Sequence, residues 1–163
     1  MEGERAGKNP AAELARKHFI YGYHCSESVV KAVNEYYDLK LDDSIIRMVS
    51  AFAAGMGEAK CACGCITGGV IVLGYLYGRV ESHEDDDLIA DLAKELHDKF
   101  IAEFKTPCCK ELTRDVKWGH PDHREKCGEY VYSATRNLSE LLEETQRNLP
   151  VENGIRPRQA GSV

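Results

Sequence analysis

The chain has 163 residues, 43% hydrophobic and 29% charged, with 14 glycines and 5 prolines. That is enough for one packed domain, and it excludes collagen-like, proline-rich and wholly disordered classes. Lysine and arginine total 21 against 27 acidic residues, a net charge of -6 that repels a phosphate backbone, so no nucleic-acid partner is expected. The charged start, Met1-Glu2-Gly3-Glu4-Arg5, has no apolar region behind it, and the longest apolar stretch, 68–77, is too short to span a bilayer. No membrane association and a cytoplasmic location are the expectations.

Taken in chain order, Leu14, His18 and Phe19 recur at helical spacing over 11–21, with Pro10 as a first-turn residue and Gly22 as the break. Cys25-Ser26-Glu27-Ser28 is a cap-competent start for a second helix carrying Val29, Val30, Ala32, Val33 and Tyr36, which places Cys25 at its N-terminus. Asp42-Asp43-Ser44 opens a third helix with Ile45, Ile46, Met48, Val49 and Phe52, expected to run until Gly55 and Gly57. The run 68–78 is apolar almost all round and suits a buried helix or a buried strand. Helix is expected, because no other segment looks like a strand partner. Its glycines, Gly64, Gly68, Gly74 and Gly78, offer places where backbones approach closely.

Acids 84–87 precede a long amphipathic pattern of Leu88, Ile89, Leu92, Ala93, Leu96, Phe100, Ile101 and Phe104, ended by Pro107. A short helix from Cys108 and a last helix over 123–144, with Cys127 early in it, complete the pattern. The expectation is a single all-α domain of six or seven helices over residues 1–147, with a mobile tail over 148–163.

Seven cysteines are many for this length, and their odd number without an export signal argues against a secreted disulfide framework. There is no CxxCH, no phosphate-binding GxxxxGK[ST] and no strand followed by GxGxxG. The cysteines fall in four places: Cys25; Cys61, Cys63 and Cys65; Cys108 and Cys109; and Cys127. Each is at or just before an expected helix start, where free N–H groups and the positive end of the helix dipole stabilise a thiolate, bound or free. A single cysteine is readily a small core residue. The trio in Cys61-Ala62-Cys63-Gly64-Cys65 is harder to read so, because its glycine lets sulfurs converge.

Other features read as structural. His120-Pro121-Asp122-His123 before Cys127 resembles zinc-ligand spacing, but both histidines fit a solvated loop beside a proline turn. His24 reads as a surface ring and His18 as a satisfied core residue. Tyr36, Tyr37, Tyr75 and Tyr77 read as packing, and acids 84–87 as a solvated helix start.

The segments 24–29, Gly57-Glu58 through Cys63-Gly64-Cys65-Ile66-Thr67-Gly68-Gly69, Cys109-Lys110-Glu111-Leu112, and Cys127 together resemble the redox-active protein family named for its C-GCAxxG-C-C signature, over roughly 19–142. Two registers fit the glycine motif. Gly64-Cys65-Ile66-Thr67-Gly68-Gly69 has Ile66 in place of alanine, whereas Cys63-Gly64-Cys65-Ile66-Thr67-Gly68 has Cys65 in place of alanine. Cys63 is taken as the family cysteine, with Cys65 as the alternative. The family is similar to the N-terminal part of split-Soret cytochromes, which implies an iron–sulfur centre and a homodimer; the haem half has no counterpart here.

The resemblance therefore implies Cys25, Cys63, Cys109 and Cys127 as cluster ligands, with Cys61, Cys65 and Cys108 as additional candidates. The leading expectation is an iron–sulfur electron-transfer protein serving an unidentified redox partner. A zinc-stabilised helical binding module and a thiol–disulfide oxidoreductase are the alternatives. At least one of the 61–65 trio is expected to stand outside the primary four-cysteine site.

Overall fold

In the computed structural model the described residues are 8–148. They form helical segments α1 (Pro10–Tyr21), α2 (Cys25–Tyr37), α3 (Asp43–Ser50), α4 (Ala53–Met56), α5 (Gly64–Tyr77), α6 (Asp87–Phe104), α7 (Cys109–Leu112) and α8 (Pro121–Asn148). Among these residues the only β pairing is an isolated bridge between Ala62 and Cys108. The all-α class holds, and 68–77 belongs to a helix. The expected tail lies outside the described residues except for Asn148, which is helical.

Local chemistry sets the helix ends. Asn9 accepts the Ala12 N–H at 3.0 Å and Pro10 opens α1; Gly22, at φ 114°, closes it. Glu27 reaches back to the His24 N–H at 2.8 Å, fixing the start of α2 next to Cys25. Asp42 caps α3 through the Ser44 N–H at 2.8 Å. Asp85 accepts the Asp87 N–H at 2.9 Å, so part of the acid run does serve as a helix start.

The long helices pack around α2, α5 and α8: α1 lies on α2 and α8, and α6 on α5 and α8. Val29, Val30 and Val33, Val72 and Leu73, Leu96 and Phe100, and Val131, Leu138 and Leu142 are removed from solvent, each side chain contributing about 1.5–3 kcal/mol by burial. The Phe100 ring packs on Phe104 with centroids 4.8 Å apart.

Three expectations are corrected. First, α3 stops at Ser50, and five consecutive residues then turn left-handed: Ala54, Gly55, Met56, Gly57 and Glu58 have φ between 53° and 72°. Only two are glycine, so L-residue sterics oppose the turn, and a reading that expected glycine merely to end a helix missed it. Second, α5 is not buried all round. Val72 and Leu73 are inside, while Tyr75 is 48% exposed and Gly74 faces open space. The close crossings are at Gly64, Gly68 and Gly69; a Cβ on Gly68 would come within 2.7 Å of the Ser26 carbonyl oxygen. Third, α8 begins at Pro121, so Cys127 sits in its second turn and not at a helix start. The Pro121 ring is tolerated at the first position, and the helix begins earlier than the apolar periodicity alone suggests.

Candidate functional site

α5 begins where α2 begins. A Cβ on Gly64 would lie 2.5 Å from the Cys25 sulfur and 3.2 Å from the Ser26 nitrogen, so the missing side chain lets the two helix starts touch. The Ser26 hydroxyl donates to the Val49 carbonyl at 3.0 Å, tying this corner to the end of α3. A short antiparallel clamp brings up the third segment: the Cys63 N–H donates to the Pro107 carbonyl at 2.8 Å and the Lys110 N–H to the Lys60 carbonyl at 3.0 Å. α7 is steadied by Tyr130 of α8, whose hydroxyl donates to the Leu112 carbonyl at 2.9 Å.

These elements enclose a cavity of about 250 Å3 lined by Cys25, Cys63, Cys65, Cys109 and Cys127. Cys63, Cys65 and Cys109 are buried, and Cys25 and Cys127 are half-buried. Cys61 is exposed, and neither it nor Cys108 lines the cavity; the Cys108 sulfur faces the Lys60 carbonyl at 3.6 Å. The structure thus brings five thiols together and leaves two outside.

The cavity's electrostatics divide the thiols. Cys25 is lowered from the usual 9.0 to about 7, chiefly by a hydrogen bond from Cys65 and, against the cost of burial, by the backbone N–H groups of Ala54, Ser26 and Cys25 itself. Ala54 is the first residue of the left-handed turn, which accounts for what that strained segment supplies: a backbone donor aimed at sulfur. Cys65 is held well above the ordinary thiol value because its proton serves Cys25 and Cys63 and because it is buried. Burial, with the neighbouring cysteines' charges, pushes Cys109 and Cys127 up to about 12; Lys60 opposes this at Cys109 and Lys126 at Cys127.

His123 is a further correction to the sequence reading. It is 8% exposed, its Nε2 lies 3.6 Å from the Cys127 sulfur, and its ring packs on Trp118 with centroids 4.2 Å apart. The i, i+4 spacing of His123 and Cys127 on one helix face was the available signal, and it was masked by the proline that starts the helix. Burial, together with Lys60 and Arg124, lowers the His123 pKa. His120 is exposed beside Asp122, and His24, though exposed, lines the cavity. His18 is not a core residue: it is half-buried, and its Nε2 pairs with Glu35 at 3.1 Å. Tyr36 and Tyr37 pack edge to face at 4.8 Å. Among the described residues no helix is long and apolar enough to cross a membrane.

Fold and site together define an all-α protein built around a buried cluster of thiols. The chain belongs to the family described as putative redox-active protein (C_GCAxxG_C_C), whose model matches residues 23–141. No curated protein and no solved structure matches the chain significantly.

Proposed function

We propose that the protein is an iron–sulfur electron-transfer protein whose cluster is held by Cys25, Cys63, Cys109 and Cys127. The observation that carries this reading is the spread of the thiols. They line one cavity, yet among the described residues no three cysteine sulfurs lie within 4.8 Å of one another. Thiolates on one tetrahedral zinc, with bonds of about 2.3 Å, sit about 3.8 Å apart. The wider arrangement, with five thiols in the lining, suits a polynuclear cluster, in which separate irons take separate thiolates.

When bound, the cluster supplies a centre that takes up and gives back an electron. The chain's own residues do the rest. Burial of Cys63, Cys65 and Cys109 excludes water from the sulfur side, and backbone donors around Cys25, including the Ala54 N–H, offset negative charge on sulfur. Cys25, Cys63 and Cys109 at helix starts and Cys127 in the second turn of α8 are held on packed helices, which limits their movement between redox states. The single proton of the Cys65 thiol, shared between neighbours Cys25 and Cys63, adds one further hydrogen bond to the ligand sulfurs.

A second reading rests on the same pair. Cys25, lowered to about 7 and in hydrogen-bond contact with Cys65, is placed for thiol–disulfide chemistry. Protein made and purified without oxygen distinguishes the two. Iron and acid-labile sulfide in stoichiometric amount, with visible absorption that bleaches on reduction, support the cluster. Metal-free protein with a reversible two-electron change in thiol titre supports the disulfide.

A further inference from the structure

Three aromatic rings that line the cavity each carry a cation. Lys31 Nζ lies 4.7 Å from the Tyr23 ring centroid, Lys60 Nζ lies 4.6 Å from that of Trp118, and the Arg124 guanidinium lies 5.5 Å from that of Phe19. The cations come from three separate parts of the chain: α2, the loop after the left-handed turn, and α8. None of the three takes part in an ion pair among the described residues. Tyr23 and Trp118 are each 40% exposed, and the lining contains a single carboxylate, Glu58. Arg124 is itself part of the lining and Lys31 and Lys60 join it through their rings, so at this rim three cations stand against Glu58, on a chain of net charge -6.

We propose that the rim is the docking surface for an acidic electron-carrier protein, with Lys31, Lys60 and Arg124 as charged contacts around exposed Trp118 and Tyr23. This rests on the electron-transfer reading above. Charge complementarity selects the partner: an acidic face is repelled by most of this molecule and attracted at one place, the one closest to the redox centre. Aromatic rings and arginine are also the residues that interfaces favour, and the rings hold the cations in place before a partner arrives. One electron passes between the carrier and the centre, and no bond is made or broken.

The test is the rate of electron exchange between the cluster-loaded protein and reduced flavodoxin, an acidic flavin carrier, followed by stopped flow from low salt to about 0.5 M. The expected result is a rate that falls with salt. The triple variant Lys31→Gln, Lys60→Gln, Arg124→Gln should be slower by about tenfold or more at low salt, with the salt dependence reversed and the iron content unchanged. A rate that rises with salt in the unmodified protein, as its net charge alone dictates, overturns the proposal. So does an unchanged rate in the triple variant, or a shifted midpoint potential with no change in rate, which would assign the cations to tuning the centre. A salt effect seen with ferricyanide but not with flavodoxin would assign the rim to small anions and also overturns it.

If iron and sulfide are missing from the sample, it is the cluster reading that has failed, and the rim is then tested on the thiols. Iodoacetate should alkylate Cys25 faster, relative to neutral iodoacetamide, in the unmodified protein than in the triple variant. Equal ratios would overturn the positive entrance itself.

Discussion

The sulfur of Cys25 rests against the backbone of Gly64, so closely that a Cβ on Gly64 would approach it to 2.5 Å. This contact joins the first helix start of the site to the second. Gly64→Ala should displace Cys25, lower iron uptake and reduce stability by about 1–3 kcal/mol while far-ultraviolet circular dichroism stays helical. Gly74, on the same helix, faces open space. Gly74→Ala should leave iron content unchanged and raise stability by up to about 1 kcal/mol, measured by urea unfolding.

The cysteines should separate by position. Single serine replacements of Cys25, Cys63, Cys109 and Cys127 are expected to lower iron and sulfide content strongly, whereas Cys61→Ser and Cys108→Ser, outside the cavity, should retain both. Equal loss of iron in all six variants, read by metal analysis of anaerobically prepared protein, would contradict the placement.

Metal-free protein should show a defined pH response. Cys25, lowered from 9.0 to about 7, loses its proton in the folded state first, so between about 7 and 9 the unfolded chain holds more protons and stability rises with pH. Cys109 and Cys127, pushed up to about 12, stay protonated in the fold after the unfolded chain has ionised, so above 9 the sign reverses and stability falls. Urea midpoints measured against pH should pass through a maximum near 9, and alkylation of Cys25 should follow a midpoint near 7.

The left-handed turn holds backbone strain that can be measured. Met56, 46% exposed at φ 65°, makes its conformation at a cost that glycine avoids. Met56→Gly should stabilise the protein by about 1 kcal/mol without changing iron content. A loss of stability in thermal unfolding would show that the Met56 side chain contributes more by packing than its backbone costs.

Much of the helical layout is legible from neighbours within one turn. Leu92, Leu96 and Phe100 mark the buried face of α6 by their spacing, Asn9 and Gly22 bracket α1, and the four cysteine positions with their glycine motif identify the family. These are local signals, and helix periodicity and capping are local interactions. What only the tertiary structure decided depends on how distant helices cross. Cys63 and Cys65 face the cavity while Cys61 does not, because the 60–63 segment pairs with 107–110. Gly64 and Gly68 are crossings and Gly74 is not, because α2 meets only the first half of α5 so closely. His123 leaves solvent because Trp118 and the cavity wall close over it, and three cations from separate segments each stack on a ring of the cavity lining. Side-chain convergence over a hundred residues of chain is set by packing of the whole core, which no short window of sequence contains.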